Sequence, residues 1–442
     1  MVGILWRRTF EKGESAVRLE LNIINIKDIR FGEKTEISHG VLLINQSELQ
    51  GLLHQDKRLD RVDLELAHPG ESCRILQVCD VIEPRAKISG CEDFPGALGR
   101  QGTAGSGRTS VLRGAAVILN TQTETDLLPE AEDPSGNIID MSGPAAEITP
   151  YGKTHNIVLV PHAAAGVSHE SYTHALKMAG LKATVYLAKV GKDLEPDAVE
   201  VYDLPPVTEV ARGMEHLPKV AYIFQIYCTS YPAMASEPIL YGDNVTRLLP
   251  TVLHPNEVLD GAIVNTYHGR GTESYVFQNH PVVKELYRRH GKELCFVGVV
   301  ATVSRYQEPA RERSVAMASN IARSILGADG VVITKSSSGA PDVDASQTAQ
   351  ECEDQGVKTV LIMFGCESGT EGSPVFNLPG ANAVVNTGNP FRLLSLPAVK
   401  RIIGKPVTLP SGPASGELKK GPNFITGALD LAGHSMMVSV QY

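Results

Sequence analysis

The first part of the chain alternates apolar and polar positions with the two-residue period of β-strands. The clearest case begins at Val17, where VRLELNIINIKDIRFG places apolar side chains on one face. GVLLINQ and TSVLRGAAVILN continue the pattern, and clusters of Gly, Pro and Asp separate these short runs. The pattern predicts a β-rich domain over residues 17–148. Residues 1–16 are charged and patternless, and we treat them as an extension that would be absent if translation began at Val17 from a GTG codon.

After Thr149 the pattern changes to buried strands that alternate with helices. HNIVLVPHA is predicted to be a strand, and SHESYTHALKMAG is predicted to be a helix that begins after Ser168 and ends at Gly180. HPVVKELYRRHG and RSVAMASNIARSILG are predicted helices as well. Further predicted strands are KATVYLAKV, KVAYIFQIY, ELCFVGVVATV, DGVVITKS, VKTVLIMFG and NAVVNTGN. Continuous β-branched strands separated by helices predict an α/β fold with a doubly wound, mostly parallel sheet in residues 149–442.

Composition and charge narrow the class of partner. The 442 residues are 42% hydrophobic and 21% charged, which allows a sizeable core. A formal net charge of −9 argues against nucleic acid or an anionic membrane surface as the main partner. No apolar run is long enough for a membrane span, and the opening residues lack the apolar stretch of a secretory signal. The sequence therefore predicts a soluble, cytoplasmic protein.

The cysteines and histidines do not predict a metal centre. The chain has seven cysteines at wide spacings and no Cys-x-x-Cys pair, which is typical of reduced thiols and not of a disulfide framework or a structural zinc site. His254, His268, His280 and His290 fall within one stretch, but none of them forms a His-x-x-x-His or His-x-His pair. We expect these histidines to cap elements or face solvent, and the alternative is a metal-dependent hydrolase that uses them.

Ligands of doubly wound sheets bind beyond the carboxyl ends of the strands, which selects three loops. They run from Asn265 to His280, from Lys335 to Asp344 and from Gly365 to Gly372. The amides and hydroxyls of the second loop can hold a carboxylate or phosphate while its carboxylates position an amine, and its candidate substrate-binding residues are Ser337, Gly339, Asp342 and Asp344. The alternative is a polar turn in which Asp342 or Asp344 caps the next helix.

The third loop contains a candidate nucleophile. Cys366 follows four apolar residues at the carboxyl end of a predicted strand, where a catalytic thiol is well placed. No histidine lies near it in the sequence, and a small buried cysteine is the alternative interpretation.

Several segments carry a resemblance to a known family. In chain order they are VRLELNIINIKDIRFGEKT, PGESCRI, DVIEPRAKISG, GSGRTSVLRGAAVI, IDMSGPAAEITPYGKT, LPTVLHPNEVLDGAIV, PVVKELYRRHGKELCFVGV, LGADGVVITKSSSGAPDVD and GVKTVLIM. Through them nearly the whole chain from Val17 onward resembles the component B α/β proprotein of the glycine, sarcosine and betaine reductases and its D-proline reductase relatives.

The resemblance implies a specific chemistry. In that family a proprotein cleaves itself beside an internal cysteine, which becomes an N-terminal pyruvoyl group. Its carbonyl forms an imine with the substrate amine, and a cysteine or selenocysteine on a separate partner subunit attacks the α-carbon and expels the amine. The resemblance thus implies a Cys- or Sec-containing component B partner subunit and a small amino-acid or betaine-like substrate.

This chain departs from the family at the processing site. The cysteine is expected after GAIV, but the loop here is NTYHGRGTESYVF and contains no cysteine. The hydroxyls of Thr272 and Ser274 are the groups that could replace it in self-cleavage. Thr272 follows Gly271, whose carbonyl is sterically open to attack.

The alternative that we favour is an unprocessed relative that binds its substrate by shape and charge. A quaternary ammonium substrate has no N–H and cannot form an imine, so such a substrate needs no pyruvoyl group. The remaining polar groups of the loop are Tyr267, His268, Arg270 and Glu273, of which Arg270 could hold a substrate carboxylate. A catalytically silent scaffold subunit remains a second hypothesis.

Overall fold

A computed structural model describes residues 17–121, 135–228, 239–264, 272–336, 339–364, 380–390, 392–409 and 411–429, together with the backbone of 438–440. In the first half of the described residues the strands are β1 Val17–Asn25, β2 Asp28–Phe31, β3 Glu36–Ser38, β4 Val41–Ile44, β5 Leu59–Ala67, β6 Cys73–Ile75, β7 Val78–Ile82, β8 Arg85–Gly90, β9 Gly107–Arg113, β10 Ala115–Asn120, β11 Ile139–Asp140, β12 His155–Ala163 and β13 Ala198–Leu204.

The second half contributes the remaining strands and most of the helices. The strands are β14 Lys219–Cys228, β15 Thr251–Leu253, β16 Cys295–Ser304, β17 Gly330–Thr334, β18 Lys358–Met363, β19 Ala383–Asn386, β20 Leu394–Leu396, β21 Arg401–Ile403, β22 Thr408–Leu409, β23 Gly412–Pro413, β24 Leu418–Lys420 and β25 Val438–Val440. The α-helices of the described residues are α1 Gln46–Leu53, α2 Pro144–Glu147, α3 His169–Ala188, α4 Pro255–Leu259, α5 Ser274–Gln278, α6 Pro281–Arg289, α7 Ala310–Asn320 and α8 Ala340–Asp354. Within the described residues, none of the helices has the length and hydrophobicity that crossing a membrane requires.

The N-terminal region is rich in strands, as the sequence predicts. Two four-stranded mixed sheets have the orders β13-β1-β9-β8 and β5-β12-β10-β7. Helix α3 packs against the second of these sheets, and Leu176, Leu119 and Leu159 share one buried apolar cluster. Strands β12 and β13 follow Thr149 in the sequence but hydrogen bond to β5, β10 and β1, which precede it.

The second half contains a seven-stranded sheet in the order β15-β16-β14-β17-β18-β19-β25. The five inner strands pair in parallel, and the two edge strands are antiparallel to their neighbours. β16 is buried along its whole length and β14 along most of it, which explains their continuous apolar sequences. The chain is therefore a mixed α/β protein with a β-rich N-terminal region.

One helix is longer than the sequence predicts. The side chain of Ser168 accepts a hydrogen bond from the Ser171 amide and caps α3, as expected, but the helix continues through Gly180 to Ala188. The segment KATVYLAKV is therefore mostly helical, and its prediction as a strand is wrong. A Cβ atom at position 180 would lie 2.8 Å from a methyl group of Leu119, so this glycine permits close packing and does not end the helix.

A buried arginine joins the C-terminal segment to the N-terminal region. The Arg74 side chain is fully buried and forms a bidentate ion pair with Asp140, with N–O distances of 2.7 and 2.9 Å. It also donates to the backbone carbonyls of Pro397, Ala414 and Gly416. Strand β21 pairs in parallel with β6 beside this cluster. The segment from Pro397 to Gly416 thus packs as part of the N-terminal region, although it comes near the other end of the sequence.

Candidate functional site

A buried lysine marks the carboxyl end of β17. Lys335 follows the strand directly, and its Nζ atom forms an ion pair with Asp342. The same Nζ lies 3.7 Å from the centre of the Phe364 ring, which stands at the end of the neighbouring strand β18. Burial lowers the pKa of Lys335, and the negative charge of Asp342 opposes that shift. The result is an ammonium group held in place at the sheet edge.

The local sequence explains how this lysine and its partner meet. Gly339 has a φ of +84°, which favours glycine, and it turns the chain from the loop into α8. Pro341 lies in the first turn of the helix. The second carboxylate oxygen of Asp342 accepts a hydrogen bond from the Gly339 amide at 2.7 Å, so Asp342 caps the helix and pairs with Lys335 at once.

Asp344 belongs to a second polar group at the same edge. Its Oδ1 atom accepts a hydrogen bond from the Gln225 amide group at 2.9 Å, and its Oδ2 atom accepts one from the Arg305 backbone at 3.3 Å. Burial raises the pKa of Asp344 to about 6. Gln225 also accepts from the Ser336 amide, while the buried Ser336 hydroxyl has no hydrogen-bond partner among the described residues. This edge therefore offers a buried hydroxyl without a partner among the described residues, one position after the lysine.

A hydrogen-bond chain leads from this edge towards the start of α6. The Tyr222 hydroxyl contacts Thr334, the last residue of β17, and lies 3.1 Å from Nε2 of His280. The His280 ring also packs edge-on against Phe224. All of these side chains are buried. His280 immediately precedes α6, so these hydrogen bonds couple the end of β17 to the start of that helix.

The hydroxyl candidates for processing lie against the N-terminal region. Ser274 is the first residue of α5, and its Oγ atom donates to Oδ2 of Asp80 at 2.7 Å while its amide donates to Oδ1 at 2.9 Å. Burial raises the pKa of Asp80 to about 6, although these hydrogen bonds favour its ionised form. Glu273 accepts a hydrogen bond from the Tyr151 hydroxyl at 3.4 Å, and Thr272 is buried.

A buried ion cluster holds Gln278, the last residue of α5, and Asn279, which follows it. Both carboxylate oxygens of Glu83 are used, Oε2 by Arg85 and Oε1 by the Arg113 Nε atom at 2.8 Å. Asn279 donates to Oε2 of the same carboxylate at 3.0 Å, and Gln278 bonds the Glu83 backbone in both directions. Burial opposes ionisation of Glu83, but the charges of Arg85 and Arg113 outweigh it and hold the pKa at about 2.

The structure separates the predicted site residues into two groups. Gly339, Asp342 and Asp344 come together at the end of β17, whereas Glu273 and Ser274 contact the N-terminal region. Thr272, which precedes them, is buried. Five further candidates lie outside the described residues: Tyr267, His268, Arg270, Ser337 and Cys366.

Sequence reasoning missed Gln225, Tyr222, Phe364 and Asp80. A polar residue inside the otherwise apolar strand KVAYIFQIY was a usable signal for Gln225, because a buried amide needs hydrogen-bond partners. Nothing in the sequence links Asp80 to Ser274, which lies 194 positions further along the chain.

The described histidines of the C-terminal stretch have separate structural partners. His254 caps α4, where its ring accepts a hydrogen bond from the Asn256 amide. His290 accepts from the Phe296 amide at 3.0 Å, and His280 contacts Tyr222. The capping role of His254 agrees with the prediction, and these three rings do not converge on a common point.

Comparison with known proteins gives one consistent result. The family model for glycine/sarcosine/betaine reductase component B subunits matches residues 17–433. The chain is 35% identical over 442 residues to the glycine reductase complex component B subunits alpha and beta of Acetoanaerobium sticklandii, covering 96% of this chain and all of that protein.

Two further relatives come from Peptoclostridium acidaminophilum. The sarcosine reductase complex component B subunit alpha is 38% identical, with 88% of this chain and 89% of that protein covered. The betaine reductase complex component B subunit alpha is 33% identical, with 88% of each chain covered. No solved structure matches the chain.

Proposed function

We propose a function that starts from the family to which this chain belongs, the glycine/sarcosine/betaine reductase component B subunits. The chain is the substrate-binding subunit of a complex for reductive C–N or related C–heteroatom cleavage. The substrate is a small amino-acid or betaine-like zwitterion. A partner subunit supplies the cysteine or selenocysteine that attacks the α-carbon. This chain holds the substrate in the orientation that the attack requires.

The observation that carries the proposal is that two buried polar residues, Lys335 and Ser336, follow one another at the end of β17. The ammonium group of Lys335 is held by Asp342, and the Ser336 hydroxyl is a buried donor without a partner among the described residues. A substrate carboxylate would accept from both groups. Asp344, whose pKa burial raises to about 6, is ionised at neutral pH and offers a negative charge for the substrate cation.

Strand order supports this position. The parallel strands follow one another in the chain as β14, β16, β17, β18 and β19, and they lie in the order β16-β14-β17-β18-β19. With right-handed crossovers, the reversal of direction after β16 puts α6 and α7 on opposite faces, so we propose that the sheet is doubly wound. The crevice at the reversal then opens between the carboxyl ends of β14 and β17, next to Lys335.

The pyruvoyl group of the family does not fit the residues of this chain. The segment from Asn265 to His280 contains no cysteine from which it could arise. Of the hydroxyl candidates, Ser274 is engaged by both oxygens of Asp80 and begins a helix. We therefore propose that the chain acts uncut and that no step of its reaction passes through a pyruvoyl carbonyl.

Calorimetric titration of the full chain with glycine, sarcosine and betaine tests the substrate site. Ser336→Ala and Lys335→Met should each weaken the binding of the preferred ligand by about tenfold or more, because a hydrogen bond to a charged group contributes roughly 1.5–3 kcal/mol. The control is Lys358→Met, which removes an exposed lysine from the start of the next strand. Unchanged affinity in both site variants would overturn the assignment. Absence of saturable binding in the wild-type chain would favour the scaffold alternative.

The intact mass under denaturing conditions tests whether the chain is cut. Denaturation is essential because β14, which precedes the loop, lies between β16 and β17, which follow it, so a cut chain would remain associated. One species near 47.5 kDa is expected. Two fragments of roughly 29 and 18 kDa by residue share, the smaller reactive towards a hydrazine, would instead show processing at Thr272 or Ser274.

A further inference from the structure

Three potential metal ligands converge away from the end of β17. The Nδ1 atoms of His68 and His155 lie 3.4 Å apart. Oδ1 of Asp28 lies 3.4 Å from Nδ1 of His68 and 3.9 Å from Nδ1 of His155. All three side chains are partly exposed, so an ion from solvent can reach them. Each residue thus directs one ligand atom at the same small volume.

The sheet brings these residues together from distant parts of the sequence. His155 is the first residue of β12, and His68 directly follows β5. The two strands pair antiparallel with Asn156 opposite Ala67, which places the histidines next to each other at the end of the ladder. Asp28 begins β2, which belongs to the small sheet β2-β4-β3. A group bound by all three would join the two sheets.

The separations match those of a tetrahedral zinc site. Zinc binds histidine nitrogen and carboxylate oxygen at about 2.0–2.2 Å, so two ligand atoms of a regular tetrahedron are separated by roughly 3.3–3.6 Å. Two of the three separations here are 3.4 Å, and the third is 3.9 Å. A shift of a few tenths of an ångström at Asp28 would complete the triangle.

The hydrogen bonds around Asp28 still allow its Oδ1 atom to bind an ion. Oδ1 accepts one hydrogen bond, from the Ile29 amide at 2.9 Å, and a carboxylate oxygen has a second lone pair. Arg30 donates to Oδ2 of Asp28 at 2.8 Å and so orients the carboxylate with Oδ1 towards the histidines. Such outer partners orient the ligands of metal sites.

We propose that Asp28, His68 and His155 bind one divalent ion of the zinc class, with the fourth coordination position open to water. Three protein ligands of the His₂-carboxylate type are a known donor set for zinc. The bound ion connects β2 to the β5–β12 pair and thereby stabilises the N-terminal region. The site is independent of the substrate site at Lys335, so either assignment can fail without the other.

Titration of chelator-treated full-length protein with Zn²⁺ and Co²⁺ tests the proposal. One ion per chain is expected, and Co²⁺ should show the visible absorption of tetrahedral coordination without a thiolate charge-transfer band. His68→Gln and His155→Gln should each weaken binding by more than the roughly 10–100-fold that loss of an outer-shell partner costs. Excess Zn²⁺ should raise the melting temperature of the wild-type chain and leave that of His155→Gln unchanged.

The matched control is His162→Gln. His162 lies on the same strand as His155, and its Nε2 atom is 2.8 Å from Oδ2 of Asp63. It therefore forms a His–carboxylate pair that, among the described residues, has no third potential metal ligand. Its loss should leave the metal affinity unchanged. Absence of saturable Zn²⁺ binding, retention of binding in both ligand variants, or a thiolate band with Co²⁺ would each overturn the proposal.

Discussion

Glu83 provides a test of how much a buried ion cluster contributes to stability. Its carboxylate is fully buried between Arg85 and Arg113, and both oxygens accept hydrogen bonds from guanidinium groups. Glu83→Gln keeps the shape of the side chain but removes the charge. In either orientation the new amide directs an N–H group at a guanidinium, because one arginine faces each oxygen. The substitution thus leaves buried positive charge without its counterion.

The magnitude follows from the pKa of the carboxyl group. A decrease from the ordinary value of 4.5 to about 2 corresponds to about 3 kcal/mol of stabilisation in the ionised form. Removal of one partner from a buried ion pair typically costs about 3–5 kcal/mol. We therefore expect Glu83→Gln to lower the free energy of unfolding by about 3 kcal/mol or more, as measured by urea denaturation with circular dichroism.

The control is Glu285→Gln on the surface of α6. Hydrogen bonds from Arg288 and Arg289 also hold the pKa of Glu285 at about 2, but its side chain is 45% exposed. Water and salt screen such pairs, so this variant should lose less than about 1 kcal/mol. Equal losses in the two variants would refute the argument that burial decides the contribution.

The pH dependence gives a second check on Glu83. A lowered pKa contributes stability that is present above the unfolded-state value and is lost as the pH falls towards the folded-state value. The difference between wild type and Glu83→Gln should therefore narrow as the pH falls from about 4.5 towards about 2. A difference that stays constant over this range would contradict the assigned cause.

Three further predictions concern single positions. Gly180→Ala should destabilise the protein by about 1–3 kcal/mol because its Cβ would overlap side chains of the adjacent sheet. Gly51→Ala, at an exposed position of α1, should instead stabilise it by up to about 1 kcal/mol. Urea denaturation measures both changes. Burial raises the pKa of Asp80 from 3.8 to about 6, so ionisation costs up to about 3 kcal/mol of stability as the pH rises from about 4 to about 6. Asp80→Asn should remove this slope, and a slope unchanged in the variant would contradict the assignment. Among the described cysteines, Cys91 alone is partly exposed, and burial raises its pKa to about 11; mass spectrometry should find it modified first, though slowly, by a thiol reagent.

The sequence predicts local structure well where one physical requirement dominates. His155–Ala163 is a strand over the residues that its apolar run predicts, and Pro281 begins a helix because its missing N–H is tolerated there. The prediction fails at Gly180 because a glycine that ends a helix and one that permits close packing look the same in a sequence. The predicted helix RSVAMASNIARSILG is not regular throughout, because it widens into a π-helix after Asn320, and Ile325 in that last turn is exposed.

The candidate site was predictable only in part. The rule that ligands bind beyond strand ends identifies Asp342 and Asp344, which lie within ten residues of the strand that positions them. The partners of these residues come from other strands, as Gln225 does, and their proximity depends on sheet order. The same holds for His68 and His155, which only strand pairing brings together.

The burial of Arg74 has a consequence for the order in which the protein folds during synthesis. The guanidinium group uses carbonyls of Pro397, Ala414 and Gly416, which leave the ribosome more than 320 residues after the arginine itself. Until then the N-terminal region carries a charged group without its complete set of acceptors, and strand β6 lacks its neighbour β21. The N-terminal region therefore cannot complete its structure in the order in which it is synthesised, because its last step waits until residues 397–416 have been made.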